Sequence, residues 1–288
     1  MSAGIWRWEE RDFGFRFRSG KGRRANEYYQ ARWPGEFYVV PSSQRKLTKN
    51  RVDELAVLFP TPYSPRVVGN PWHNYERGWD WIMSNDGICL NWAGCLDKEE
   101  IDRREDEGVQ RAMELVADLV THASPVTLSI RLIQQVHVAL MEPIYPFAGA
   151  WRTVGLHRGE GPEKWPLPTG PEGIQPFMDV LERDVLARSP VISDDDQEVF
   201  EYASEVMNEL IAIHPFREGN GRVAFILGNL IMMQNSMLPL TTYERRSDEI
   251  RYFAACEAGR IHKDYVLLAA LLDEWEDKAL AEWEKRHG

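Results

Sequence analysis

Apolar side chains return every three or four residues through the second half of the chain. Val199, Phe200, Ala203, Val206, Met207, Leu210 and Ile211 form one stripe, which predicts an amphipathic helix that delivers the chain into His214. Ser193 ahead of Asp194, Asp195 and Asp196 predicts its start as a capping box, with the Ser193 hydroxyl and the Asp196 carboxylate satisfying free N–H groups. The acidic triplet therefore reads as helix-start chemistry, not as a metal cluster. Ile174, Phe177, Met178, Leu181 and Val185 predict another amphipathic helix that ends near Ser189 and Pro190. Residues 223–233 are apolar almost throughout and free of proline, the pattern of a buried helix. Tyr252, Phe253 and Cys256, then residues 265–272, predict two closing helices.

Two stretches break this period. Residues 153–157 and 164–168 read as short strands joined by the turn Gly159-Glu160-Gly161-Pro162, which predicts a hairpin. Residues 1–91 show no sustained period, yet Trp6, Trp8, Phe13, Phe15, Tyr28, Tyr29 and Trp33 make them too aromatic for a disordered tail. Strands are expected there around residues 13–17 and 37–40. The fold class is mainly α with one small β-hairpin, preceded by an irregular or α+β N-terminal region. The expected parts are residues 1–91, a catalytic domain over 92–275 and a helical tail over 276–288.

Charge sharpens that division. The chain carries −11, but its first sixty positions hold 12 Lys and Arg against 7 Asp and Glu, a net +5 that leaves −16 for the rest. A basic aromatic region can bind nucleic acid or an acidic partner. No nucleic-acid fold is recognisable, so docking on the chain's own acidic part is the preferred expectation and nucleic acid is not an expected partner. With 288 residues the chain can bury a core without staples. Its three cysteines, Cys89, Cys95 and Cys256, lack metal-ligand spacing and are expected to be free thiols. No apolar run approaches the roughly twenty residues of a membrane span, and the N-terminus lacks a signal-peptide core. A soluble, cytoplasmic protein is expected.

The chemistry concentrates in His214-Pro215-Phe216-Arg217-Glu218-Gly219-Asn220-Gly221-Arg222. Gly219, Asn220 and Gly221 allow successive N–H groups to turn inward as an anion nest at the start of the helix over 223–233, where the dipole favours phosphate. His214 is the one group of the nine that takes up a proton near neutral pH, and suits a general base. Glu218 is a hard oxygen ligand suited to Mg²⁺ bridging phosphates. Arg222 offers a planar fork to a phosphate, and Arg217 belongs to the same nucleotide-binding set. Phe216 is expected as a buried anchor beneath the loop, and Pro215 stiffens the turn.

The run resembles the signature of the Fic family, H-P-F-x-D/E-G-N-G-R-x-x-R, and meets every element through Arg222. Phe225 stands where the family has its second arginine, the group that grips the terminal phosphate of ATP and that an inhibitory glutamate engages in autoinhibited members. A second stretch supports the resemblance: Leu132-Ile133-Gln134-Gln135-Val136-His137-Val138-Ala139-Leu140-Met141, then Ile144-Tyr145-Pro146-Phe147-Ala148-Gly149-Ala150-Trp151-Arg152. It looks like the family's upstream helix, its Tyr-Pro-Phe-Ala-Gly turn and an arginine, with His137 expected as a helix-packing residue. In the family a flap follows, which makes the predicted hairpin, with Leu156, His157 and Trp165, the candidate site for pairing with an extended target segment. Many members also carry an inhibitory S/T-x-x-x-E-G/N helix. Residues 103–108 match it only at Glu107 and Gly108, so Glu107 is a candidate inhibitor set against the preferred reading of a solvated helix face.

The resemblance implies transfer of a nucleotidyl group, AMP from ATP with Mg²⁺, to a Ser, Thr or Tyr hydroxyl of a protein, with His214 as base. Phe225 keeps another nucleotide donor open, and a non-catalytic nucleotide-sensing or protein-binding module is the reading from a different class. Self-modification and self-association are compatible with either.

Overall fold

The computed structural model describes residues 13–16, 28–31, 89, 91, 97–123, 125–142, 144, 145, 147–152, 156, 173–240 and 248–287. Near the N-terminus β1 (Phe13–Arg16) pairs antiparallel with β2 (Tyr28–Ala31), Phe13 opposite Ala31 and Arg16 opposite Tyr28. β1 falls where a strand was expected. The expected strand over 37–40 lies outside the described residues, and β2 uses a segment the apolar pattern did not single out.

Seven α-helices follow among the described residues: α1 (Lys98–Ala123), α2 (Ile130–Met141), α3 (Gln175–Asp184), α4 (Asp196–Ile213), α5 (Asn220–Gln234), α6 (Glu249–His262) and α7 (Val266–His287). The fold is mainly α. The pair α4–α5 forms its centre, with α1 and α2 packed against α5, and α6 and α7 packed against α4. α5 is apolar nearly all round because it is enclosed nearly all round: Val223, Ala224, Ile226, Leu227, Leu230, Ile231 and Met232 are all at most 1 % exposed. Gly228 brings α4 and α5 together, since a Cβ there would lie 2.6 Å from the Met207 sulfur.

The start of α4 differs from the expected capping box. The cap is Asp195, whose side chain accepts from the Gln197 N–H, and Ser193 instead accepts from the Asp195 N–H and donates to Glu198 at 2.6 Å. With three adjacent acids, the one placed two residues before a free N–H takes the cap, and the hydroxyl moves one step out. α3 ends at Asp184, earlier than the apolar pattern implied, and a separate short 3₁₀ turn, Leu186–Arg188, carries the chain to Ser189. α7 passes position 275 without a break, and Glu276, Ala279 and Leu280 are buried, so the expected tail packs as part of the bundle.

α1 is long and charged on its outer face, with Arg103 bonded to Glu100 and Glu107 along the helix. Its inner face crosses α2 at Gly108, where a Cβ would meet the Leu140 carbonyl oxygen at 2.1 Å. Arg111 from the same face donates to the Ala139 and Leu140 carbonyls at 3.2 and 3.4 Å, which satisfies the C-terminal end of α2. Cys89 and Cys256 are buried free thiols, and Cys95 lies outside the described residues. Among the described residues no helix is long and apolar enough to cross a membrane.

Candidate functional site

The nine-residue run occupies the junction between α4 and α5. His214 turns out of α4 in the left-handed conformation, φ 52° and ψ 59°. That conformation costs a non-glycine residue about 1–3 kcal/mol, so neighbours must hold it. Its N–H still donates to the Leu210 carbonyl at 2.9 Å, and ring Nδ1 lies 3.3 Å from the Ile211 carbonyl oxygen. A carbonyl only accepts, so Nδ1 carries the ring proton and Nε2 the lone pair. Burial pushes the imidazole down to about 4 against the Ile211 bond, and the Arg152 charge adds to the fall. Near neutral pH the ring is therefore uncharged and able to accept a proton.

The loop is closed from inside. Asn220 is buried and bonds both backbone groups of Phe216, Oδ1 accepting from the N–H and Nδ2 donating to the carbonyl, each at 2.8 Å. The Phe216 ring is fully buried, stacked parallel on His137 at 3.7 Å and tilted against Trp151 at 4.9 Å. His137 does more than pack. Its Nδ1 accepts from the Gly149 N–H at 2.7 Å, which places the proton on Nε2 for donation to the Glu218 carbonyl at 3.1 Å. Complete burial pushes this imidazole down to about 3, so it works as a neutral bridge between the turn after α2 and the loop.

Gly219 has φ 82° and a Cβ there would meet Met141 Cε at 2.3 Å. It serves as the N-cap of α5 without any side-chain cap. Because Asn220 is folded back on Phe216, the N–H groups of Asn220, Gly221 and Arg222 have no hydrogen-bond partner among the described residues. A Cβ on Gly221 would meet nothing within 4 Å, so this side of the nest faces open space. Three unpaired donors at a helix N-terminus, with room in front of them, make an anion site.

Charged side chains rim it. Arg222 donates to Glu105 of α1 at 2.7 Å and to Glu218 at 3.1 Å. Burial works against its charge, but Glu105 and Glu218 outweigh that and its pKa rises. Tyr145 donates to the other Glu105 oxygen at 2.5 Å. Glu218 Oε1 accepts from the Gly219 N–H and from Arg222, while Oε2 has no partner among the described residues and the side chain is 43 % exposed. Arg217 is buried with its guanidinium 6.0 Å from the Phe147 ring centre, and burial lowers its pKa to about 10. Among the described residues no three His, Cys, Asp or Glu converge as a metal cage. One accessible carboxylate beside an anion nest instead fits a cation such as Mg²⁺ that shares its ligands with phosphate.

A Fic/DOC family model matches residues 127–232, which run from before α2 through most of α5. A Sinorhizobium fredii protein named "Probable protein adenylyltransferase y4lH" is 30% identical over 141 residues, covering 48% of this chain and 67% of that protein. The chain belongs to the Fic/DOC family. "Protein adenylyltransferase Fic" of Nematostella vectensis is 25% identical over 186 residues, 64% of this chain and 41% of its own length. The chain thus spans about two fifths of that curated relative. The crystal structure of BepC from Bartonella tribocorum, solved with bound AMPPNP, shares the fold at TM-score 0.51 and 18% identity, covering 70% of this chain and 97% of that one.

Against the Fic signature, the structure brings the nine residues together around one loop. Phe225, one turn along α5, is half-buried against the core. Of the acids on α1, Glu107 pairs with Arg103 along its own helix and Glu105 reaches the signature arginine. Gly108 is explained by the α1–α2 crossing. In the expected flap, Leu156 is buried, while His157, Trp165 and the hairpin turn lie outside the described residues. Glu105, Tyr145 and Arg152 were not assigned roles from sequence, and His137, expected only to pack, also bridges Gly149 and the Glu218 carbonyl. Tyr145 opens the family's upstream turn and Arg152 follows it, which is their signal in the sequence.

Proposed function

We propose that this protein transfers a nucleotidyl group, AMP from ATP, to the hydroxyl of a Ser, Thr or Tyr side chain on a protein. The reading rests on one observation: a neutral, tautomer-fixed imidazole stands at one end of the loop whose other end is an uncapped helix N-terminus open beside Gly221. The donor phosphates would lie against the N–H groups of Asn220, Gly221 and Arg222, with the Arg217 and Arg222 charges alongside. His214 Nε2 would take the hydroxyl proton as the oxygen attacks the α-phosphorus. The new P–O bond forms as the bond to the bridging oxygen breaks, and pyrophosphate leaves with that electron pair. Mg²⁺ held by Glu218 and phosphate oxygens would offset the donor's negative charge. The names of the curated relatives and the nucleotide in the BepC crystal agree with this class of reaction.

Two variants test it together. His214→Ala should lose self-labelling or target labelling by tagged ATP by roughly 10²–10⁴-fold while binding nucleotide as before. Gly221→Val should fold normally, because its Cβ has space, and should lose nucleotide affinity by filling the nest. Labelling that survives in His214→Ala, or Mg²⁺·ATP binding untouched by Gly221→Val, sinks the reading. A parallel thermal-shift series with UTP, GTP and CTP separates ATP from other donors, a choice left open by Phe225.

A further inference from the structure

Arg152 is 2 % exposed at the end of the turn after α2, and it holds three consecutive carbonyls at the end of α4. Its backbone N–H donates to Pro215 at 2.8 Å, its Nε to His214 at 2.6 Å and its Nη2 to Ile213 at 3.3 Å. These are carbonyls that a terminating helix leaves without intrahelical partners, and a cation there also meets the negative end of the helix dipole. The residue in the middle of the three is His214, whose left-handed backbone needs external support. Only a guanidinium presents two N–H groups in a fixed fork able to span neighbouring carbonyls; an ammonium on a flexible stem is a point donor.

We propose that Arg152 is the positioning residue for His214: its fork holds the Ile213 and His214 carbonyls, its backbone N–H holds that of Pro215, and together they fix the backbone from which the imidazole projects. Arg152 touches no reacting atom in this assignment. Loss of the fork lets residue 214 relax toward ordinary backbone angles, which swings the ring away from Ile211 and from the anion nest. The rate arm of the test rests on the proposed transfer; the spectroscopic arm does not.

Arg152→Met keeps the stem and the backbone N–H and removes the fork. With ¹⁵N-histidine labelling, the wild-type His214 ring should show an Nδ1–H tautomer and a depressed titration. In Arg152→Met the ring should lose that tautomer preference, because the Ile211 carbonyl that fixes it is no longer in reach. In self-labelling with tagged ATP, the maximal rate should fall about 10–100-fold, as expected for a misplaced base, with half-saturating ATP within about twofold. Arg152→Lys, which retains charge and volume, should recover stability without recovering the rate, and it carries both measurements if Arg152→Met does not fold. Wild-type-like His214 spectra and rate in a folded variant overturn the assignment. A wild-type protein that never labels would remove the transfer reading and still leave the ¹⁵N comparison to decide the role of Arg152.

Discussion

The two flanks of the signature loop are held by different kinds of force. On the base flank, Arg152 donates to the His214 and Pro215 carbonyls, the His214 ring meets the Ile211 carbonyl, and the imidazole is kept uncharged by burial. On the phosphate flank, Arg222 is held by two carboxylates, Glu105 and Glu218, and the N–H groups of the α5 N-terminus stay unpaired among the described residues. The base flank has its Ile213, His214 and Pro215 carbonyls bonded before any ligand arrives. The phosphate flank has a charge arrangement that an incoming anion must redistribute. Changes to the first should therefore act on stability and rate, and changes to the second on affinity.

The base flank should break most severely from below. Phe216 is fully buried between His137 and Trp151, and Phe216→Ala should destabilise the fold by about 3–5 kcal/mol, read as a drop in the urea midpoint without a change in slope. A loss below about 1 kcal/mol would mean that the loop is not anchored through this ring. Asn220→Ala is expected to cost less, about 1–3 kcal/mol, because it leaves the buried Phe216 N–H and carbonyl without their bonds. It also tests whether Asn220 acts by closing the loop: stability should fall, and the nucleotide affinity that survives should still depend on Gly221.

The helices that carry these contacts were largely legible in the sequence, because their apolar stripes are local and periodic. The α4 stripe ran into His214, and α5 announced itself as an apolar run. The loop itself was legible because nine adjacent residues form it. What lay beyond reach were contacts set by how helices rotate and cross. Arg152 and His214 are 62 residues apart. Which acid of α1 faces Arg222 depends on a rotation of 100° per residue that the Gly108–Leu140 crossing fixes, so Glu105 and not Glu107 reaches the loop. Of the three residues expected to turn their N–H groups into the nest, Gly219 instead donates to Glu218, Asn220 and Gly221 keep N–H groups unpaired among the described residues, and the Asn220 side chain bonds to Phe216.

The bridging imidazole joins the two flanks and gives a pH dependence of known sign. His137 is fully buried and held well below its ordinary value, to about 3, chiefly by burial. As pH falls below about 6.5 the unfolded chain binds a proton that the native chain refuses, so stability is lost on acidification. Between pH 7 and pH 5 this one group should remove about 2 kcal/mol, and the loss levels off only near the folded pKa. Urea midpoints measured across that range should drop in the wild type and drop less in His137→Gln. Parallel curves for the two proteins would show that His137 is not the group responsible.

The smallest expected effect probes the phosphate flank directly. Glu105 is 13 % exposed and accepts from both Arg222 and Tyr145, so its charge occupies the fork that the anion nest would otherwise offer to a phosphate. Tyr145 and Arg222 use different oxygens of Glu105, so in Glu105→Gln one of the two donors faces an NH₂ group and the negative charge beside Arg222 is gone. Arg222 should be released toward the nest, and ATP or ADP should bind about three- to fivefold more tightly, on the order of 1 kcal/mol, by calorimetric titration at low salt. The gain should shrink as salt rises, since it comes from removing a competing charge. Weaker binding in Glu105→Gln would reverse the assignment: Glu105 would then orient the Arg222 fork for the ligand, and the phosphate flank would be as complete before binding as the base flank.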